Sequence, residues 1–221
     1  MAEFVPKNSG KTRCTVDFLR VLWYHEDNTE RWEAGFLADS NITKRALASA
    51  LKKLMETKPF AKITVSDICE ACDMNRKSFY YHFKDKYDLV NWIYYTECVA
   101  ALKEKNYQNG WDLLVDLCTY FYENRSFYRK TLNVEGQNSL SEYFRDIVAT
   151  IMSSDMEKIF SEDDALRFYV DFYTDAFLCA IKRWLLDKDC RPAEEFAGLL
   201  KNCLLRTSDT ILQTFSAESE K

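Results

Sequence analysis

Apolar side chains along this chain recur every third or fourth position, the period of a helix, and nowhere sustain the alternation of a strand. In NITKRALASALKKLMETKPF, from residue 41, Leu47, Leu51, Leu54 and Met55 fall on one helical face, and Pro59 punctuates the end. In TVSDICEACDM, Thr64 is placed to cap a short helix, with Asp67 three residues on as in a capping box. Val65, Ile68, Ala71 and Cys72 share a face of that helix, Asp73 and Met74 form a turn, and NRKSFYYHF begins a third short helix. Two short helices joined by a tight turn, with a longer helix in front to cover their apolar back, predict a helix-turn-helix.

Beyond Lys84-Asp85 the predicted helices lengthen. One runs from about Lys86 to Lys105 and ends near Asn109-Gly110, and another spans Trp111 to Glu123. Ser139 with Glu142 is a capping box that opens SEYFRDIVATIMSSDMEKIF. Asp163 or Asp164 opens a helix in which Phe168, Phe172, Ala176, Cys179 and Arg183 share a row. Pro192, followed by Glu194 and Glu195, starts a last helix through about Phe215. The expectation is an all-α protein. An extension spans residues 1–39, a three-helix helix-turn-helix domain 40–88, and a larger helical regulatory and dimerisation domain 89–221. Residues 1–38 match nothing that follows and mix Trp23, Trp32 and Phe36 with dense charge.

Composition agrees. With only five Gly and three Pro, and neither between Phe60 and Asn109, tightly turned strands lack their punctuation. The net charge of -5 argues at first against a nucleic-acid partner, but its distribution changes the picture. Residues 40–90 hold ten Lys/Arg against six Asp/Glu, whereas residues 91–221 hold fifteen against twenty-two. A modestly basic segment joined to an acidic body is expected where one part touches phosphate and the rest does not.

No apolar run approaches the roughly 18 residues of a membrane span, and FLRVLWY, interrupted by Arg20, is too short for a secretory leader. The expected location is therefore the cytoplasm, with the eight cysteines reduced and mostly buried. Cys69 and Cys72 form a Cys-x-x-Cys pair, but they sit inside a short helix with no strand before them. A zinc site would need two further ligands at related spacing, which neither His82 nor Cys98 supplies. Core packing is the expected role of the pair, and no metal, cofactor or catalytic residue is expected.

The basic and aromatic run is different. Arg76, Lys77 and Ser78 fall in the first turn of the third helix, Tyr80, Tyr81 and His82 at its exit, and Lys84 and Lys86 just beyond. Long donors near the start of a helix suit base edges, and flanking cations and hydroxyls suit phosphates. A solvated basic face would explain an isolated run of this kind. Its place as the second helix of a helix-turn-helix favours DNA. Phe79 and Phe83 read as core in either case.

The stretch ITVSDICEACDMNRKSFYYHFKDKYDLV resembles the DNA-binding signature of the TetR/AcrR family of bacterial transcriptional regulators, through Phe79, Tyr80, Tyr81, His82, Phe83 and Lys86. The wider run FYYHFKDKYDLVNWIYY resembles more narrowly the regulators associated with dihydroxyacetone-kinase operons, a run shared by related regulators of unknown role. The resemblance implies that Arg76, Lys77 and Ser78 face base edges, with Ser66 near the groove. It also implies that Tyr80, Tyr81, His82 and Lys86 hold phosphates of a pseudo-palindromic double-stranded operator. It further implies a homodimer paired through its last two long helices, and control by a small-molecule effector or a partner protein. Trp92, Tyr95, Tyr120, Phe121, Phe168, Phe172 and Tyr173 are candidates to line an effector pocket, with ordinary core packing as the competing role. One departure is Asp73, where the family usually places Gly in the turn. Some backbone strain is expected there. The rival reading from another class is an interaction adaptor that keeps the helix-turn-helix shape. A small helical enzyme ranks last, having no base, nucleophile or metal set.

Overall fold

The computed structural model describes residues 38–105, 107, 110–134, 139–159 and 165–203, and every regular element among them is helical. Helix α1 (Ala38–Thr57) begins three residues ahead of the expected start and buries Leu47, Leu51 and Met55. Pro59 ends it and leads into a 3-10 turn (Phe60–Lys62), whose Phe60 is buried. Helices α2 (Val65–Ala71) and α3 (Arg76–His82) follow, packed behind by α1. The extension expected over 1–39 lies outside the described residues apart from its last two, which already belong to α1.

Helix α4 (Lys86–Ile93) buries Leu89, Val90, Trp92 and Ile93, with Trp92 edge-on to Phe83 at 5.8 Å. The helix does not run evenly to Lys105 as expected. Over Tyr94–Val99 it widens into a π turn, in which the Ala100 N–H donates to the Tyr95 carbonyl, before α5 (Ala100–Lys103) resumes. Helix α6 (Gly110–Glu123) follows. The short α7 (Arg125–Thr131) was not foreseen.

Helix α8 (Leu140–Ile159) opens with the Glu142 N–H donating to Ser139 Oγ, the capping contact the spacing predicts. It packs against α9 (Leu166–Leu186), to which Arg145 adds ion pairs with Asp171 and Asp175 at 2.8 Å each. The expected opening at Asp163 or Asp164 lies outside the described residues, as does the last helix beyond residue 203. Residues 193–203 form the start of that helix, α10, which folds back on α9. Trp184 and Phe196 stack with centroids 4.3 Å apart, and Trp184 Nε1 donates to the Arg191 carbonyl at 2.8 Å. The body's core is aromatic: Tyr94 lies among Phe121, Tyr128, Tyr143 and Phe144, with ring centroids 6.0 to 6.2 Å away.

Candidate nucleic-acid interface

The helix-turn-helix is held by contacts its own residues make. At the start of α2, Thr64 Oγ1 accepts from the Asp67 N–H at 3.1 Å, and Asp67 Oδ2 accepts from the Thr64 N–H at 2.7 Å. Each thus satisfies a donor the helix end leaves open. Lys58 joins the same carboxylate at 2.7 Å. Lys58, followed by the Thr64 donors, pulls Asp67 down to about 2, well below the ordinary carboxylate.

At the other end of α2, the Met74 N–H returns to the Cys69 carbonyl at 2.8 Å and the Asp73 N–H to that of Glu70 at 3.3 Å. This is the Schellman closure, which needs a left-handed residue between the two, and Asp73 supplies it with φ 53°. The strained turn expected at Asp73 is present. Asn75 then caps α3, its Oδ1 accepting from the Ser78 N–H at 2.8 Å.

Phe79 and Phe83 are fully buried, 5.8 Å apart, and fix the rotation of α3. The opposite face is thereby committed to solvent. Arg76 and Lys77 are exposed in the first turn, Tyr81 is 82% exposed, and Tyr80 and Lys84 lie beside them. Arg76 donates to the Tyr80 hydroxyl at 3.3 Å and lies 5.7 Å over its ring, and this contact raises its already high pKa. His82 is half-buried beside Tyr81, and burial, then the Lys44 charge, holds its pKa below the ordinary value. The structure therefore brings Arg76, Lys77, Tyr80, Tyr81 and His82 together around one short helix.

Three other expected DNA residues sit differently. Ser78 points its hydroxyl at Asn75 Oδ1, 3.2 Å away, and so supports the cap. Ser66 is half-buried in the first turn of α2. Lys86 turns inward: its ammonium donates to the carbonyls of Phe60 (2.9 Å), Ala61 (3.2 Å) and Ile63 (2.8 Å), and lies 4.7 Å over the Phe60 ring. An ammonium has three N–H donors, and all three are used. The three carbonyls belong to the 3-10 turn and to Ile63, which closes it, so Lys86 ties α4 to the loop before α2 and does not reach toward a phosphate.

Lys44 was missed. It is 3% exposed on the inner face of α1, where Asp88 offsets part of its burial. Its spacing before Leu47, Ala48 and Leu51, on the apolar stripe, was the available signal.

The cysteine pair packs. Cys69 is buried, the Cys72 thiol donates to the Ile68 carbonyl at 3.2 Å, and burial raises both pKa values. Among the described residues no group of three or more His, Cys, Asp or Glu is placed to hold a metal.

The seven residues expected around an effector pocket are not brought together. Trp92 belongs to the core shared with the helix-turn-helix, and Phe121 is fully buried in the aromatic body. Phe168 and Phe172 lie stacked on the outer face of α9, 66% and 58% exposed, with Tyr173 beside them. Tyr95 is half-buried on the π turn. Tyr120 alone of the seven lines a cavity of about 210 Å³, between α1, the π turn, α6 and α7, with Lys52, Glu97, Asn124 and Phe127. Helical spacing placed the aromatics on rows but could not say which rows face inward.

Comparison with known proteins bears on this geometry. Residues 47–93 match the family model described as bacterial regulatory proteins, tetR family. Residues 109–206 match the model TetR_C_8, described as a transcriptional regulator C-terminal region, so the two span more than half of the chain. The HTH-type dhaKLM operon transcriptional activator DhaS of Lactococcus lactis subsp. lactis (strain IL1403) is 26% identical over 148 residues, 65% of this chain and 79% of that protein. Among solved structures, the dihydroxyacetone kinase operon activator DhaS has a TM-score of 0.54 at 22% identity, covering 75% of this chain and 96% of that one. A TetR transcriptional regulator from Streptococcus agalactiae 2603V has a TM-score of 0.59 at 20% identity, covering 73% and 92%. Both share the fold.

Proposed function

This chain belongs to the TetR family of bacterial transcriptional regulators, and from that premise we propose that it binds a pseudo-palindromic operator as a homodimer in the cytoplasm, with no catalytic step of its own. Residues 40–88 form the DNA-binding region and 89–221 the regulatory and dimerisation region in this reading. The observation that carries it is the exposed face of α3. Arg76 and Lys77 stand in its first turn and Tyr80 and Tyr81 at its exit, on a helix whose rotation two buried phenylalanines fix. In a helix-turn-helix the N-terminal residues of the second helix meet base edges, and the flanks meet phosphates. Arg76 and Lys77 take the first role, and Tyr80, Tyr81, His82 and Lys84 the second.

The homodimer rests on α9. Phe168, Phe172, Cys179, Arg183 and Leu186 form an exposed row, and Leu199 on α10 is 52% exposed. Exposed apolar surface of that extent marks an interface. A second copy pairing there would present two α3 helices to successive major grooves. An effector or partner protein would favour one relative placement of the two, and it acts only so far as it binds one state better. The likeness to a transcriptional activator of a dhaKLM operon makes activation the first sign of control to test, by transcription in vitro with and without candidate effectors or partner proteins.

The direct test measures binding to DNA upstream of the gene and to a length-matched random duplex at two salt concentrations. Retention that prefers the upstream DNA and weakens with salt supports the operator reading. No retention of either duplex at low salt would overturn it and leave the α3 face to a protein partner.

A further inference from the structure

We propose that Lys52 and Glu97 are positioning residues for operator binding, an ion pair through which the aromatic body sets the angle of the helix-turn-helix; the proposal rests on the operator reading above. The two residues stand 45 positions apart in sequence, one on α1 and the other on the π turn. Lys52 Nζ meets both carboxylate oxygens of Glu97, one of them at 2.6 Å. On the body side, the Tyr120 hydroxyl donates to Glu97 Oε2 at 3.3 Å, and that of Tyr128 donates to Tyr120 at 3.3 Å. Tyr128 is buried among Tyr94, Phe121 and Phe127. A continuous polar path thus runs from the centre of the body to the helix that backs α2 and α3.

The π turn explains how Glu97 comes to face α1. A turn with i→i+5 bonds takes up one more residue than an α turn, and such turns often mark functional sites. Without it, the extra residue would rotate the following helix by about 100° relative to α4. The widened turn lets Tyr94, Cys98 and Val99 all enter the core while Glu97 faces Lys52.

A second tie runs parallel. Lys130 of α7 donates to the Met55 carbonyl in the last turn of α1, and Lys52 lies 5.7 Å over the Phe127 ring of the same helix. Lys52, Met55, Glu97 and Phe127 line a cavity of about 210 Å³, so the ion pair and the Lys130 bond lie at the rim of a space between α1 and the body. Both partners of the ion pair are partly exposed, at 36% and 40% of their side chains, and such a pair is weak enough to be made or broken by a modest change in the body. That suits a joint meant to move.

The test uses the full chain, DNA selected from a random pool by the wild type, and duplexes carrying either both half-sites or one. Glu97→Gln and Lys52→Gln are each expected to weaken binding to the two-half-site duplex about tenfold. They should leave the single half-site within about twofold, because one reading helix needs no set angle. Exchanging the charges, Lys52→Glu with Glu97→Lys, should restore the two-half-site affinity. Equal losses on both duplexes, no loss in the single variants, or no recovery on exchange would overturn the proposal. Calorimetry without DNA separates its failure from that of the operator reading. If the wild type selects no DNA, the operator reading falls. The tie then stands only if the single variants split off an early melting transition that the exchange removes.

Discussion

At the scale of single residues, two side chains make opposite compromises. Asp73 occupies φ 53° at the C-terminal end of α2, where the closing hydrogen bonds require a left-handed residue. An L residue pays for that conformation, and its carboxylate stands at the negative end of the helix. Asp73→Gly should therefore stabilise the protein by about 0.5–1 kcal/mol, net of the extra entropy glycine brings to the unfolded chain. A urea titration of both proteins checks this, and a lower midpoint for the variant would show that the aspartate is not strained. His82 is instead depressed by burial and by Lys44. Its folded pKa lies below the unfolded value, so its contribution to stability is present above about pH 6.5 and is lost as pH falls through the folded value. A phosphate held by His82 would favour the proton. Operator affinity should then rise on acidification, by up to about tenfold per pH unit for each proton taken up, while the stability of the free protein falls. Binding isotherms from pH 5.5 to 8 for wild type and His82→Gln test this. A wild-type profile as flat as the variant's would remove His82 from the interface.

At the scale of elements, legibility in the sequence follows the range of the forces. The helix-turn-helix was readable because its contacts are local: the caps Thr64 with Asp67 and Asn75 with Ser78, and the ring pair Phe79 with Phe83, lie within four residues of one another. The inward turn of Lys86 was not readable, because its three carbonyl partners lie 23 to 26 residues away and face it only after folding. The π turn is set by the cage around Tyr94, built by residues from α6, α7 and α8, and nothing in YYTECV announces it. Helix α9 shows a different limit. It carries apolar residues on two faces: Val170, Leu178, Ile181 and Leu185 go inward, and the row through Phe168 and Phe172 goes outward. Spacing finds both rows and cannot rank them, so the outer one reads equally as core, as a pocket wall or as an exposed face. If that row pairs two copies, Phe172→Glu should weaken the dimer by about 100-fold, as loss of a central aromatic anchor does. Sedimentation at low micromolar concentration reads this directly. A wild type that sediments as a monomer, or a variant still dimeric, would sink the assignment.

At the scale of the molecule, the charge count overstates what faces DNA. Of the ten basic residues between 40 and 90, Lys44 is buried, Lys52 is paired with Glu97, Lys58 with Asp67, and Lys86 with three carbonyls. Arg45, Lys53, Lys62, Arg76, Lys77 and Lys84 remain exposed. Each phosphate neutralised contributes about -0.9 to the slope of log K against log salt, so these six residues on two copies account for a slope of at most about -11. In the operator reading, the excess of acid in residues 91–221 adds no attraction and leaves the DNA to residues 40–90. Within this bound the residues separate by role. Lys84→Ala should reduce the slope by roughly 2 for the dimer and weaken operator and random DNA alike. Arg76→Ala should cost about 1–3 kcal/mol per reading helix on the operator and far less on random DNA, because a base contact carries the preference. Lys86→Met should leave the slope where it was and lower the denaturation midpoint, because its donors hold the loop and not the duplex. Salt titrations of all three variants on both DNAs decide among these roles. A slope that falls with Lys86→Met as far as with Lys84→Ala would mean that Lys86 leaves its carbonyls for a phosphate when the operator binds.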